Sequence, residues 1–405
     1  MGRSSLLLAT AILLAAAAPV GAVDSSELGG DFRLYSFLFL EDLPIDRQDV
    51  ELALLRIKLR SYLSDALSFE AHALVELSSP GALAQATSIV SGETRRYFDL
   101  EWEFLDHRDV RGVASFDRLN VRWEHPSFRV VAGRQAITWG VNYFWPVLDL
   151  FSPFAPERVD RDYKPGVDAV RLTLPTGSFS EIEVIAAAQG DDLSRDFSVA
   201  SLGRFHAGSS DFGYMVGSFH RDHVVGAFLT TDVAGTGWRV EAAYTESGMK
   251  SEYTRLPENF WRASLGADRQ LRPGLIVSAE VYWNGFGADR VEDYATVAAA
   301  DRVRRGEVTS LGKEYSGVSL AWQVHPLVTL TGAVLTNWGD GSSLLQPGLS
   351  WSTSDETSVL FGLILGVGPG DPGELGRGGA GDTPLLESEY GFVPLTVWGA
   401  FKFYW

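Results

Sequence analysis

Leu67-Ser-Phe-Glu-Ala-His-Ala-Leu-Val-Glu-Leu77 decides the fold. Read by twos, Leu67, Phe69, Ala71, Ala73, Val75 and Leu77 share one face, and Ser68, Glu70, His72 and Glu76 share the other. Successive side chains of an extended chain point to opposite sides, so this is a strand with one greasy and one polar face. The pattern recurs along the chain. Leu275, Val277, Ala279, Val281 and Trp283 oppose Ser278, Glu280, Tyr282 and Asn284. Trp238, Val240, Ala242 and Tyr244 oppose Arg239, Glu241 and Thr245; Leu55, Ile57 and Leu59 oppose Arg56, Lys58 and Arg60. Turn residues divide these segments, each about ten residues long.

A soluble sandwich also alternates. Three features point to a membrane barrel instead. The segments continue to the last residue; connections alternate between very short and long; and Trp123, Trp261, Trp283, Trp322 and Trp351 sit near segment ends, where interfacial aromatic girdles belong. Tight turns at 64–65, 125–127, 176–177, 208–211, 234–237, 270–274, 325–326 and 353–356 must all lie on one side, which forces the strands between them to come in pairs. About eighteen strands satisfy this (range sixteen to eighteen), with both chain ends periplasmic and the connection at 221–222 the weakest of the outer ones. Tyr97–Leu105 alternates but would break the parity, so it reads as a β-extension within the outer loop 79–115. The other long outer loops are 138–165, 248–258, 286–312 and the glycine-rich 369–389. The expected fold is an all-β transmembrane antiparallel barrel over 23–405.

The start of the chain fits export. Arg3, the apolar run Leu6–Ala18 and the small residues Val20-Gly21-Ala22 have the layout of a cleaved signal peptide, 1–22. That run is too short to span a bilayer as a helix, as is Val359–Val367, the longest apolar run elsewhere. The first strand begins close behind the cleavage site, so no plug domain is expected. Among 405 residues, 34 are basic and 52 acidic, a net charge of −18 without a basic stripe; nucleic acid is therefore not an expected partner. Zero cysteine excludes disulfides, thiolate metal sites and a lipoprotein anchor.

The chain closes Leu395-Thr-Val-Trp-Gly-Ala-Phe-Lys-Phe-Tyr-Trp405, with Phe401, Phe403 and Trp405 on one face. This resembles the terminal signal of outer-membrane proteins, which ends in an aromatic residue, usually Phe. The resemblance implies the barrel-assembly machinery as a partner and these three residues as its signal. Gly133-Arg-Gln-Ala-Ile-Thr-Trp-Gly140, with Trp145-Pro and Asp160-Arg-Asp-Tyr-Lys-Pro-Gly166, resembles the Gly-Arg-Gln strand of porin-like and alginate-export-like barrels of proteobacteria, over roughly 120–175.

The loop 138–165 is long, aromatic and charged, a composition that argues against disorder. It is expected to fold into or over the barrel mouth as a constriction carrying Trp139, Tyr143, Trp145, Asp149, Arg158, Asp160, Arg161, Asp162 and Lys164; a surface loop packed on its neighbours is the alternative. Pore-lining candidates are Arg56, Lys58 and Arg60, a positive ladder, with Arg118, Arg122, Arg134, Arg171 and Arg239. Strict alternation would send Arg134 to lipid, so a bulge at Gly133 is expected to turn it inward. A positive lumen favours anions. Inward Glu70, Glu76, Glu124, Glu241 and Glu280 favour instead an ion-paired, hydrogen-bonded interior, with anion preference kept as the second reading.

His220 and His223 flank Arg221-Asp222 and could hold a metal or serve a rim hydrolase, but loop polarity is the preferred reason for them. No Gly-x-Ser-x-Gly elbow, phosphate loop or His-Glu-x-x-His is present. The sequence therefore predicts an outer-membrane porin or substrate-specific channel, without cofactor, metal or catalytic residues. Small hydrophilic solutes would pass by diffusion, anions among them if the ladder dominates. The rivals are an enzyme with a rim site and a non-conducting assembly or surface barrel. Nothing marks an oligomeric face.

Overall fold

A computed structural model describes residues 25–40, 49–79, 95–248, 256–371 and 386–405. The signal segment 1–22 lies outside them. Among the described residues, nineteen strands form one antiparallel sheet. In chain order they are β1 Ser25–Phe39, β2 Asp49–Ser64, β3 Leu67–Ser78, β4 Glu101–His107, β5 Val110–His125, β6 Phe128–Gln135, β7 Val167–Gly177, β8 Ser180–Ala188, β9 Phe197–Ala207 and β10 Ser210–Phe219. They continue with β11 Asp222–Val233, β12 Thr236–Glu246, β13 Asn259–Arg272, β14 Leu275–Asn284, β15 Glu314–His325, β16 Val328–Asn337, β17 Ser342–Ser352, β18 Thr357–Val367 and β19 Thr396–Tyr404.

Apart from β4, neighbours in sequence pair throughout, and β1 pairs with β19, Asp31 opposite Tyr404 through Phe39 opposite Thr396. The sheet thus closes on itself and leaves no open edge around the ring. β4 stands outside the count. It pairs with β5 alone, while β3 skips over it to β5. Eighteen strands therefore make the ring, as the parity of the turns predicts, and β4 is the extension expected at Tyr97–Leu105. It takes the edge of β5 above the point where short β6 stops.

The weakest expected connection is present as a two-residue turn at His220 and Arg221, both with positive φ (48° and 74°). The last strand begins only at Thr396, past the end of the glycine-rich loop. Pro394 has no N–H to give a ladder, and Tyr390 and Phe392 instead pack inward as a loop.

The outward face is apolar. Leu34, Ile57, Val121, Val170, Val216, Val225, Val240, Val281 and Phe361 are all exposed, while Arg33, Arg56 and Glu241, each next in sequence to one of them, are buried. Such a wall needs a non-aqueous surrounding. Trp123, Trp351 and Trp405 are exposed near one end, and Trp261, Trp283 and Trp338 near the other, which forms two girdles. Trp322 is half-buried and carries the Arg272 guanidinium 4.4 Å from its ring centre.

The inward face changes character along its height. Toward the short turns it is charged. Toward the outer end it is apolar, with Tyr35, Phe37 and Phe39 on β1, Val50 and Leu52 on β2, Leu202 on β9, and Met215 and Phe219 on β10. A lumen meant to be polar throughout would not look like this. Something apolar packs against it.

Candidate functional site

The occupant is the segment between β6 and β7. Ile137, Trp139, Phe144, Trp145, Val147, Leu148, Leu150 and Phe151 are buried in one cluster with the apolar wall residues. The segment expected to narrow the mouth thus crosses the interior. Trp145 stacks on Tyr282 of β14, ring centres 5.4 Å apart and planes 10° apart, and gives its indole N–H to Ser310 Oγ at 3.1 Å. Trp139 gives its indole N–H to Glu183 of β8 at 2.7 Å and meets Phe151 edge-on.

Two wall carboxylates fix the loop backbone. Glu241 of β12 accepts the N–H groups of Val141, Asn142 (2.8 Å) and Leu148 (2.8 Å). Glu280 of β14 accepts those of Tyr143 (3.0 Å), Phe144 (3.0 Å) and Trp145 (2.7 Å). A buried irregular segment must satisfy its N–H groups, and a charged acceptor does so most strongly. Asn142 adds a 2.6 Å bond to Ser264 of β13, and Gln346 of β17 reaches the Glu157 carbonyl at 2.7 Å. Wall glycines make the room. A Cβ at Gly317 would meet the Phe144 ring at 2.5 Å, and one at Gly226 would meet Leu148 at 2.5 Å.

The returning limb, Arg158–Lys164, lies on β1, β2, β5 and β19. Asp160 is buried and takes Arg33 at 2.6 Å together with the Tyr35 hydroxyl. Asp162 takes Lys402 at 2.8 Å and the Tyr404 hydroxyl at 3.1 Å. Lys164 pairs with Asp149 inside the loop, where burial lowers the ammonium and raises the carboxyl. Its carbonyl accepts Arg118 at 2.5 Å. Arg158 is buried over the Phe154 ring; Arg161 covers the exposed Tyr143 ring at 4.4 Å and donates to its carbonyl.

The ladder residues are all paired. Arg56 meets Asp117 at 2.5 Å, Lys58 meets Asp31 at 2.9 Å, and Arg60 meets Glu70 at 3.0 Å. Arg122 pairs with Glu124 at 2.8 Å, Arg171 lies 3.8 Å from Glu183, and Arg239 pairs with Asp268. Arg134 does not line the lumen: it is 1% exposed, held by Asp168 at 2.9 Å and by the carbonyls of Phe116 and Phe98. The bulge expected at Gly133 is absent, since the register of β6 with both neighbours runs unbroken. Gly133 instead adopts φ 118°, a left-handed conformation glycine allows, and the segment carrying Phe98 covers the Arg134–Asp168 pair. The nearby bulge falls on β5 at Asp117, opposite the step from His72 to Ala73.

Open space lies on either side of the loop. The outer cavity, about 750 Å³, is lined by Arg95, Arg195, Arg302 and Arg305 against Asp191 and Asp222. The cavity at the short-turn end, about 380 Å³, is lined by Arg60, Arg118, Arg122 and Arg171 against Glu70 and Glu124. The two share no lining residue. His220 faces the outer cavity, buried, while His223 is exposed on the other face of its strand, so the two histidines are not brought together.

A second segment also folds inward over the outer end: a 3₁₀ turn Val291–Asp293 and helices α1 Tyr294–Ala298 and α2 Asp301–Arg304. Its Tyr294, with Tyr315, Asn337 and Glu389, forms a polar knot; Glu389 accepts Leu311 N–H at 3.0 Å and Asn337 Nδ2 at 2.8 Å. Burial pushes the Glu389 carboxyl up to about 7. A group that binds its proton more tightly when folded stabilises the folded state below its ordinary value near 4.5, and that contribution is lost as pH rises through 7. Opening of the 386–395 segment should therefore grow by up to about tenfold per pH unit across that window. Hydrogen exchange corrected for intrinsic rates reads it, and Glu389→Gln should flatten the dependence.

Neither a family model nor a curated protein matches the sequence. Solved structures do match. OccAB1 of Acinetobacter baumannii superposes with a TM-score of 0.57 at 9% identity, over 95% of this chain and 97% of that one. OccK8 (OprE) of Pseudomonas aeruginosa gives 0.56 at 10% identity, over 95% and 98%. OccK11 (OpdR) of the same organism gives 0.53 at 9%, over 94% and 96%. At such identities the likeness establishes architecture, and the architecture of this chain is that of a porin-like outer-membrane β-barrel.

Proposed function

We propose that this chain is a bacterial outer-membrane channel through which small hydrophilic solutes diffuse passively, narrowed by its 138–165 loop. One observation carries the reading: a closed barrel, apolar outside, holds charged cavities of about 750 and 380 Å³ at its two ends with a loop seated between them. The mechanism asks nothing of a cofactor. Solute enters a charged vestibule, exchanges hydration for side-chain contacts, and passes where the loop yields to it. Export through the 1–22 segment and insertion by the barrel-assembly machinery, with Phe401, Phe403 and Trp405 as the recognised face, complete the proposal. The Gly133–Gly140 motif supports a kinship with alginate-export-like barrels in particular.

The apolar cluster between the cavities favours a second reading, a barrel that does not conduct. Purified protein in planar bilayers separates the two: a channel gives discrete current steps, and silence across repeated insertions removes the channel reading. The same recording tests the ladder. Replacing Arg56, Lys58 and Arg60 by Gln leaves Asp117, Asp31 and Glu70 without these cations, and should lower the chloride-to-potassium permeability ratio at least about threefold. Arg60→Gln alone, at the most exposed rung, should move it the same way by less. An unchanged ratio would show that the path runs elsewhere.

A further inference from the structure

Four cations gather where β1, β2 and β19 meet: Arg33, Arg56, Lys58 and Lys402. Four aspartates answer them. Asp31 takes Arg33 at 2.8 Å and Lys58 at 2.9 Å; Asp117 takes Arg56 at 2.5 Å; Asp160 takes Arg33 at 2.6 Å; Asp162 takes Lys402 at 2.8 Å and comes within 3.4 Å of Arg33. Tyr163 lies among them, its ring centre 4.5 Å from Arg33, 4.3 Å from Arg56 and 4.4 Å from Lys58.

The four carboxylates are not equivalent. Asp31, Asp117 and Asp160 are buried, and Asp160 also accepts the Tyr35 hydroxyl and the Asp162 N–H, the latter at 3.0 Å. Asp162 is the exposed member, with 42% of its side chain open. It also stands on the loop rather than on the wall. Its three partners, the Lys402 ammonium, the Arg33 guanidinium and the Tyr404 hydroxyl, are what a dissolved anion would seek in this wall.

We propose that Asp162 is a specificity-determining residue: a carboxylate carried by the loop that fills the anion position of the β1–β19 seam and cancels its positive charge toward the lumen. The proposal rests on the channel reading above. Asp117 is also shared by Arg118 at 3.0 Å and Arg96 at 3.4 Å, and Asp160 stands 3.5 Å from Lys402, so the buried carboxylates already serve more cations than they number and Asp162 brings the seam nearer to balance. With it neutralised, one further positive charge is uncompensated beside the open side of the seam and between low-dielectric walls, where a single charge acts strongly on a passing ion. A permeating anion must compete with Asp162 for the same donors, so the loop's own charge sets how well anions pass.

Reversal potentials in a KCl gradient test this. Asp162→Asn and Asp162→Ala should each raise the chloride-to-potassium permeability ratio about threefold or more. Asp162→Glu, which keeps the charge, should restore the original ratio. Asp268→Asn is the comparison: it removes a half-exposed carboxylate paired with Arg239 elsewhere on the wall, and should shift the ratio by less than half as much. Heat-modifiable mobility in gels confirms that each barrel is closed. A ratio unmoved by Asp162→Asn, or moved no more than by Asp268→Asn, overturns the proposal while leaving the channel standing. Absence of current from the unaltered protein removes both.

Discussion

Replacing Glu241 and Glu280 together by alanine is expected to raise the mean conductance several-fold, make the current noisy, and open the 138–165 loop to protease. Each carboxylate holds three loop N–H groups. Stranding a buried donor costs about 1–3 kcal/mol, so the six together are on the order of 10 kcal/mol before the loop relaxes. The apolar cluster opposes release. Trp145, Phe144, Leu148 and Phe151 are each worth about 1.5–3 kcal/mol when fully buried. That adhesion is non-directional, whereas the carboxylates specify which residue of the loop faces which strand. The double variant should therefore keep its loop collapsed inside the barrel but without fixed register. The corresponding Gln variants retain one acceptor oxygen and should fall between. Conductance and protease resistance equal to those of the unaltered protein would falsify the anchoring role.

Those two glutamates show how much of the site is legible in sequence and where legibility stops. Period two places Glu241 and Glu280 on the inward face without ambiguity. It says nothing of what they meet there, because their partners are backbone N–H groups some 93–137 residues away, and every residue type but proline has one. They read naturally as counter-charges to the arginines. The apolar outer half of the lumen is hidden for a related reason. Leu34-Tyr-Ser-Phe-Leu-Phe39 is apolar on both faces, which marks a strand packed on both sides, yet the rest of the chain teaches that the inner face is polar. The signal is present in that stretch and in Gly226 and Gly317, inward glycines that leave a gap only a neighbouring segment would fill. By contrast, the strand count and all eight short turns follow from local chemistry, because a tight turn declares itself within four residues. Arg134 escapes local reading as well. Alternation puts its charge on the costly outer face, and the remedy comes from Asp168 directly across the ladder and from the carbonyl of Phe98, which no pattern around residue 134 could reveal.

The seam between the first and last strands carries the other large effect. Gly30 and Trp405 exchange backbone bonds, N–H to carbonyl at 3.0 and 3.2 Å, and the Trp405 indole lies against the glycine. A Cβ at Gly30 would come within 2.2 Å of that ring and 2.5 Å of the Arg56 carbonyl. Neither can move cheaply: the carbonyl belongs to the β1–β2 ladder, and the indole stacks on Phe403 with ring centres 5.7 Å apart. Gly30→Leu should therefore push the terminal strand off its partner at the closing end. In a barrel the damage spreads beyond residue 30, because an unzipped seam exposes two rows of unpaired N–H and C=O groups to lipid, each costing several kcal/mol. The expected result is a drop of about tenfold or more in heat-modifiable, membrane-integrated protein, with Trp405→Ala producing a milder loss because the backbone bonds survive. Trp405→Phe should be nearly neutral, since a smaller ring still covers the glycine. If Gly30→Leu assembles in full yield, the closing end of the seam is looser than its geometry implies, and the terminal aromatic face acts in recognition alone.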